Sequence, residues 1–196
     1  RGGHAAAPHQ TIDPVLIAAH VITGLQTLVS RRRDPMHEVV LSVTEVHAGR
    51  AFNVIPARAD LRGTVRTFGG RFWEDAPALV TQTAEGIAGA FGAEAIVHYN
   101  RLSSPLVNDA ELSGLMRAVA ADIVGAANVR DGVRTMGGED MAFFLERVPG
   151  CFAFVGSAPR SGAASPHHSP TFDIDEESLV VGAELLTQTA VKYLNV

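Results

Sequence analysis

Apolar residues recur at helical spacing in the first part of the chain. Asp13 followed by Pro14 is typical of a helix N-terminus, because aspartate caps the first turn and proline needs no amide partner there. The spacing continues until Asp34 and Pro35, which end it. The pattern predicts one amphipathic helix, with an apolar stripe of Val15, Ala18, Ile22, Leu25 and Val29.

Two segments after this helix have the pattern of strands. Residues 39–47 are rich in β-branched side chains, and in residues 59–67 an inner set, Ala59, Leu61, Gly63 and Val65, alternates with polar residues. We therefore expect an antiparallel sheet with one buried face. A helix over 73–91 and a strand over 93–99 complete the order α-β-β-α-β. This order is a ferredoxin-like split βαβ without its first strand, so we expect that strand upstream of Arg1.

The pattern changes after the loop 100–109, which is rich in serine and proline and is a candidate domain boundary. A helix is predicted around 111–124, followed by the glycine-rich segment 135–140 and a strand over 151–156. Asp175 is expected to cap a last helix, with Glu176 and Glu177 in its first turn. The inward stripe predicted for that helix is Leu179, Gly182, Ala183, Leu186 and Ala190.

Composition restricts the classes of protein. The 196 residues are 46% hydrophobic with a net charge of -5, which suits one medium domain or two small ones. No apolar run reaches the roughly 18 residues of a membrane span, and a mildly acidic chain lacks the basic footprint of a nucleic-acid-binding protein. The single cysteine, Cys151, excludes an intrachain disulfide framework and is expected in a buried strand. This usage fits a reducing compartment, so we expect a cytoplasmic protein.

Histidines are the first candidates for chemistry. His167 and His168 are adjacent in a loop with prolines on each side and acids just beyond. If this loop is functional, we expect one metal ligand and one bystander, because neighbouring side chains do not easily converge on one ion. Plain surface is the alternative. His4 lies among small residues directly before a capped helix, where a ligand can approach closely, although an ordinary loop histidine is the alternative there too.

The other candidate polar residues each have an ordinary structural interpretation. Asn53 is an ordinary turn residue, and Arg66 lies on the wet face of its strand as a solvated charge would. Glu139 and Asp140 stand where a helix begins, where acids stabilise the N-terminus. The glycines beside them match neither the dinucleotide nor the P-loop pattern. The residues alone therefore indicate a two-part α/β protein with a candidate histidine site.

Four ordered motifs carry a resemblance to a known family. They are GGHAAAPH, FNVIPARADLRGTVRTF, MGGEDMAFF and HHSPTFDIDEESL, and together they span nearly the whole chain. The chain resembles the amidohydrolase branch of the aminoacylase and carboxypeptidase G family of metallopeptidases, which includes hippurate hydrolases and auxin-conjugate hydrolases. The resemblance implies a lid or dimerisation domain over 1–100 and the C-terminal part of an α/β catalytic domain over 101–196. It also implies a homodimer formed through the lid.

The resemblance further implies a function and roles for individual residues. The activity is hydrolysis of N-acyl amino acids, hippurate-like or N-acetyl, by a water activated by two divalent ions, zinc or manganese. His4 is similar to the lid histidine that stabilises the oxyanion in the partner subunit's site. Asn53, Arg66 and Glu139 match substrate-side positions, Arg66 holding the carboxylate, and His168 matches the last metal ligand.

Other parts of the family's site have no match in this chain. The segments that supply the remaining ligands and the general base are missing, so we expect an N-terminally truncated chain that is inactive alone. The alternative is a noncatalytic dimerisation module from a truncated or split gene.

Overall fold

The computed structural model describes residues 1–160 and 165–195. It contains five α-helices: α1 (Pro14–Thr27), α2 (Gly70–Ala90), α3 (Ala110–Val124), α4 (Met141–Leu145) and α5 (Glu177–Asn195). The strands described are β1 (Gly3–His4), β2 (Val39–Ala48), β3 (Val54–Ile55) and β4 (Ala59–Thr67). The predicted mixture of helices and sheet is thus confirmed.

The chain divides into two compact units. Unit 1 contains Arg1–Pro105 together with Met136–Gly138, and unit 2 contains Leu106–Thr135 and the described residues from Glu139 onward. All four strands belong to unit 1, where α1 and α2 pack against β2 and β4. Buried side chains from both helices and from β2 form its core: Ile17, Val21, Leu25, Leu28, Leu41, Ala84 and Ala88.

Helix α1 begins as its sequence predicts. The Asp13 carboxylate accepts hydrogen bonds from the amides of Val15 at 2.9 Å and Leu16 at 3.4 Å, and Pro14 takes the first helical position. The buried face differs from the prediction by a small rotation: Ile17, Ala18, Val21 and Leu25 are buried, whereas Val15 is 48% exposed. A wider turn, Leu28–Arg32, follows α1 and buries Leu28.

Strands β2 and β4 pair antiparallel, as predicted, with Val39 opposite Thr67 and Ala48 opposite Ala59. An irregularity between Val43 and Glu45 leaves Thr44 without a paired residue. The carbonyl of Ser42 comes so close to Gly63 that a Cβ there would overlap it. Gly63 is therefore an exposed residue needed for the bulge, rather than the inward residue that the alternation predicts.

The prediction of a strand over 93–99 is wrong in one respect. Its side chains alternate as in a strand, since Ala93, Ala95 and Val97 pack against the core while Ile96 is 75% exposed. The segment is nevertheless assigned no ladder pairing within the part of the chain that the structure describes. Period-two burial requires only a neighbouring core, whereas a ladder also requires a partner strand in register.

Helix α2 contains Pro77 and continues through it. Proline has no amide hydrogen, so the carbonyl of Trp73, four residues earlier, lacks its helical donor. Arg101 replaces that donor: its Nη2 atom lies 3.0 Å from the Trp73 carbonyl oxygen and 3.3 Å from that of Glu74. The same guanidinium lies 4.3 Å from the centre of the Trp73 ring. A residue of the 100–109 loop thus completes the hydrogen bonding of α2.

Unit 2 has a smaller core, in which Met116 and Val119 of α3 pack against Leu185 of α5. Asp109 caps α3, its carboxylate accepting from the amide of Leu112 at 2.9 Å. The carboxylate of Asp175 accepts from the amide of Glu177 at 3.1 Å, as predicted for the start of α5.

The predicted inward stripe of α5 is wrong. Leu185 is buried, whereas Leu179 and Leu186 are 61% and 66% exposed. The physical reason is that α5 is apolar around much of its circumference, and the α3 contact covers only the side with Leu185.

The strand predicted over 151–156 also does not form. Its first residues are held instead by the side-chain amide of Asn108, which donates to the Phe152 carbonyl at 2.8 Å and accepts from the Phe152 amide at 2.9 Å. Cys151 is consequently not in a buried strand; it is half-buried at the edge of the Met116 and Val119 cluster. No helix within the described residues has the combined length and apolarity needed to span a membrane.

Candidate active site

His4 and Asn53 are brought together by a short antiparallel pairing. Strand β1 pairs with β3 so that His4 is opposite Val54 and Gly3 is opposite Ile55. The Ala5 amide donates to the carbonyl oxygen of Asn53 at 3.0 Å. Both candidate side chains are exposed on this pairing. The pairing was not predicted, because two-residue strands leave no alternation to detect.

The two glycines before His4 allow this pairing. A Cβ at Gly2 would lie 2.6 Å from the carbonyl oxygen of Ile55, and one at Gly3 would lie 2.7 Å from Cγ2 of Thr11. The first contact involves backbone, which cannot rotate away. The sequence RGGH therefore positions His4 through close backbone packing.

The orientation of the His4 ring determines which nitrogen can act. Its Nδ1 atom accepts a hydrogen bond from the amide of Ala6 at 3.0 Å. A neutral imidazole carries one proton, so an accepting Nδ1 places the hydrogen on Nε2. The Nε2–H group of His4 is therefore available as a donor to a ligand.

Arg66 lies on β4, opposite Val40 of β2, and is exposed. Its Nη1 atom lies in the same small region of unit 1 as Gly138 and Ser103: a Cβ at Gly138 would be 2.8 Å from Nη1 and 3.1 Å from the Ser103 Oγ. No hydrogen bond or ion pair to its guanidinium is found among the described residues. A guanidinium without a protein anion can bind a carboxylate through two parallel hydrogen bonds.

Glu139 and Asp140 precede α4, a helix of five residues. Neither side chain makes a capping hydrogen bond; the backbone carbonyls accept instead, Glu139 from the Ala142 amide at 3.3 Å and Asp140 from the Phe143 amide at 3.0 Å. Asp140, at the N-cap position of α4, therefore forms no hydrogen-bonded side-chain cap. Glu139 is half-buried and belongs to unit 2.

The two adjacent histidines of the 165–172 loop differ in conformation. His167 makes an edge-to-face contact with Phe172, with ring centroids 5.1 Å apart. His168 has a φ of 64° and is the one non-glycine residue with positive φ among those described. The Ser169 amide donates to the Pro166 carbonyl at 3.2 Å, which places His168 third in a four-residue turn, where glycine or asparagine is usual. Strain of this kind often accompanies function.

Over residues 1–160 and 165–195, no group of three or more His, Cys, Asp or Glu side chains is arranged to hold a metal ion. An exposed imidazole held in a tight turn fits the role of a single nitrogen ligand. The assignment of His168 as a metal ligand stays a prediction.

The predicted site residues thus fall into two groups. His4, Asn53 and Arg66 are in unit 1, and Glu139 and His168 are in unit 2. Sequence reasoning did not single out Gly138 and Ser103, which lie beside Arg66. The double glycine of MGGED was the available signal, because glycine without a turn often marks close approach.

The chain is similar to known proteins over nearly its whole length. The family model described as peptidase family M20/M25/M40 matches residues 7–192. An IAA-amino acid hydrolase, ILR1-like 4, of Arabidopsis thaliana is 38% identical over 99% of this chain and 45% of its own length. An N-acetylcysteine deacetylase of Bacillus subtilis is 37% identical over 99% of this chain and 50% of its own length.

A solved structure has the same fold. It is a dinuclear metal-binding peptidase of the M20 family from Bacillus subtilis, 33% identical, with a TM-score of 0.74 over 93% of this chain and 47% of that one. The chain therefore spans about half the length of the relatives that it matches.

Proposed function

The chain belongs to peptidase family M20/M25/M40, and from this membership we propose that the whole protein is a metal-dependent amidohydrolase of N-acyl amino acids. Two named relatives support this reaction class, one an IAA-amino acid hydrolase and the other an N-acetylcysteine deacetylase. Both names describe cleavage of an amide that joins an acyl group to an amino acid. The proposed products are a carboxylic acid and a free amino acid.

One observation carries the proposal: Nδ1 of His4 is occupied by the Ala6 amide, so Nε2 is left as the donor, and β1 pairs with the strand that begins directly after Asn53. Amide hydrolysis passes through a tetrahedral intermediate whose oxygen becomes negative, and fixed donors at that oxygen lower the barrier. Because the Ala6 amide already occupies Nδ1, the ring donates through Nε2. Asn53 supplies a second polar group to the same carbonyl.

Arg66 is proposed to hold the substrate's free carboxylate. Its guanidinium is free of the ion pairs that occupy Arg58 and Arg62 nearby, which contact Asp60 and Glu45. A carboxylate anchor fixes one end of an N-acyl amino acid and so orients its amide for attack. Glu139 is proposed as a further residue that contacts the substrate.

His168 is proposed as one ligand of a dinuclear centre containing zinc or manganese. When bound, such a centre supplies an activated water for attack on the amide. The structure of an M20 relative described as dinuclear supports divalent metals in this family. We further propose that residues 1–100 are the lid, that 101–196 belong to the catalytic domain, and that the lid forms a homodimer in which His4 acts in the partner's site.

The proposal is tested with this chain and with a polypeptide extended at its N-terminus to the length of its relatives. Metal content and hydrolysis of hippurate and N-acetyl amino acids are measured for both. We expect the extended protein to bind about two metal ions per chain and to turn over. If it hydrolyses none of these amides, the proposal is wrong. If the short chain alone binds two metal ions and hydrolyses these amides, the assignment of His168 as its single metal ligand is wrong.

A further inference from the structure

We propose that Gly138 is a positioning residue for Arg66: the missing side chain at position 138 leaves the space in which the Arg66 guanidinium lies. The inference rests on the carboxylate-binding role proposed for Arg66. It extends that role to the MGGED segment, in which Glu139 is also a proposed substrate contact.

The lack of room for a side chain at position 138, and not the backbone conformation, explains why glycine stands there. Gly138 does not have a positive φ, so other residues can adopt its backbone conformation. An added Cβ, however, would lie 2.8 Å from the Arg66 Nη1 atom, closer than carbon and nitrogen ordinarily approach. The Ser103 Oγ atom, 3.1 Å from the same point, is a second tight contact.

The two contacts differ in how they can yield. The guanidinium is the end of a long flexible side chain, whereas Ser103 has a short, half-buried side chain. A methyl group at position 138 would therefore be accommodated mainly by displacement of Arg66. Folding would be little affected, but the cation that anchors the substrate carboxylate would move.

The first readout is the Arg66 Nε–Hε signal in a nitrogen–proton NMR spectrum of this chain, assigned with Arg66→Lys. The second is the dissociation constant of N-acetylglycine, used as a carboxylate probe. We expect Gly138→Ala to shift the Arg66 signal and to weaken N-acetylglycine binding about tenfold, as for misplacement of one charge-assisted hydrogen-bonding group. Gly156→Ala is the matched control, since Gly156 has no positive φ and no atom within 4 Å of its added Cβ.

An unchanged Arg66 signal in Gly138→Ala would overturn the proposal. If the variant folds poorly, the double variant Arg66→Ala/Gly138→Ala decides: the proposal requires that truncating Arg66 relieves the destabilisation, and failure of that relief contradicts it. If the unsubstituted chain binds no N-acetylglycine, the carboxylate role of Arg66 fails. The Arg66 signal still decides, separately, whether Gly138 sets the guanidinium position.

Discussion

At the scale of single residues, local backbone geometry sets the orientation of the two histidines for which a functional role is proposed. His4 has its tautomer selected by the Ala6 amide, and His168 is held with a φ of 64° in a turn closed by Pro166 and Ser169. Both histidines are exposed, so neither is constrained by a packed core. The hydrogen bond at His4 selects a donor atom, and the turn at His168 retains a strained residue that stability alone would not favour.

The role of His4 predicts a loss of turnover. His4→Ala in the extended, active protein should lower kcat on the order of 10²–10³, the usual effect of losing one oxyanion donor. Steady-state hydrolysis of an N-acetyl amino acid provides the measurement. His9→Ala serves as the control, because His9 is an exposed histidine of the adjacent turn Pro8–Gln10. A His4→Ala enzyme with normal kcat would remove the proposed role.

The strain at His168 predicts that stability and metal binding respond in opposite directions. Asparagine tolerates positive φ better than histidine, so His168→Asn should leave the free energy of unfolding unchanged or raise it by up to about 1 kcal/mol in EDTA. The extended protein should at the same time lose about one metal ion per chain. Urea unfolding and metal analysis measure the two effects. His167→Asn, the matched control, should retain the metal, and equal metal loss in both variants would contradict the assignment.

At the scale of secondary-structure elements, hydrogen bonds from outside an element compensate for its irregularities. Arg101 supplies the donor that Pro77 cannot give to the Trp73 carbonyl of α2. Asn108 similarly holds residue 152 through both atoms of its amide. The segments 93–99 and 151–156 are thus ordered by packing and by side-chain hydrogen bonds instead of strand pairing.

The replacement by Arg101 of the donor that Pro77 lacks predicts non-additive effects on stability. Arg101→Ala should lower the free energy of unfolding by about 1 kcal/mol, through lost hydrogen bonds and the contact with Trp73. In a Pro77→Ala background, where residue 77 has an amide to donate, the same change should cost about half as much. Urea unfolding of the four proteins measures the difference. Arg71→Ala, which breaks an exposed pair with Asp75, is the control and should show no dependence on residue 77.

The environment of Tyr99, at the end of the 93–99 segment, predicts that the stability of the fold depends on pH. Burial raises the pKa of its phenol above the ordinary value of about 10, and Arg101 partly offsets this by favouring the phenolate. The raised pKa contributes stability that is complete below about pH 10 and is lost as pH rises through the folded-state pKa. Phenolate absorbance of a Tyr193→Phe variant should show Tyr99 titrating above pH 10. Titration at or below 10 would contradict the buried environment.

At the scale of the whole molecule, the two units have unequal cores. The buried cluster of unit 1 joins α1, α2 and β2, whereas that of unit 2 consists of Met116, Val119 and Leu185 among the residues described. Helix α5 also exposes large apolar side chains, namely Leu179, Val180, Leu186, Val191, Tyr193 and Leu194. Less apolar surface is therefore buried per residue in unit 2, so less hydrophobic free energy stabilises it.

This inequality predicts the order of local unfolding. Backbone amides of α3 and α5 should exchange with deuterium about tenfold or more faster than those in the centre of α1 and α2, because exchange follows the free energy of local opening. Hydrogen exchange read by mass spectrometry tests this. Val119→Ala should accelerate α3 and α5 alone, and Leu28→Ala should accelerate α1 and α2. Uniform protection across both units would show that they open together.

The sequence by itself determined the elements whose information is local. The Asp13 and Asp175 caps, the long helices and the β2–β4 pairing follow from hydrogen bonding and periodicity within a few residues, and they were predicted. The four motifs, taken together in their order along the chain, also identified the family.

Only the tertiary structure decided features that depend on residues distant in sequence. These are the pairing of His4 with the Asn53 turn, the position of Arg66 beside Gly138, the unpaired segment 93–99 and the buried face of α5. Each depends on what packs opposite a residue, and neither a short strand nor an all-round apolar helix specifies its partner through its own sequence.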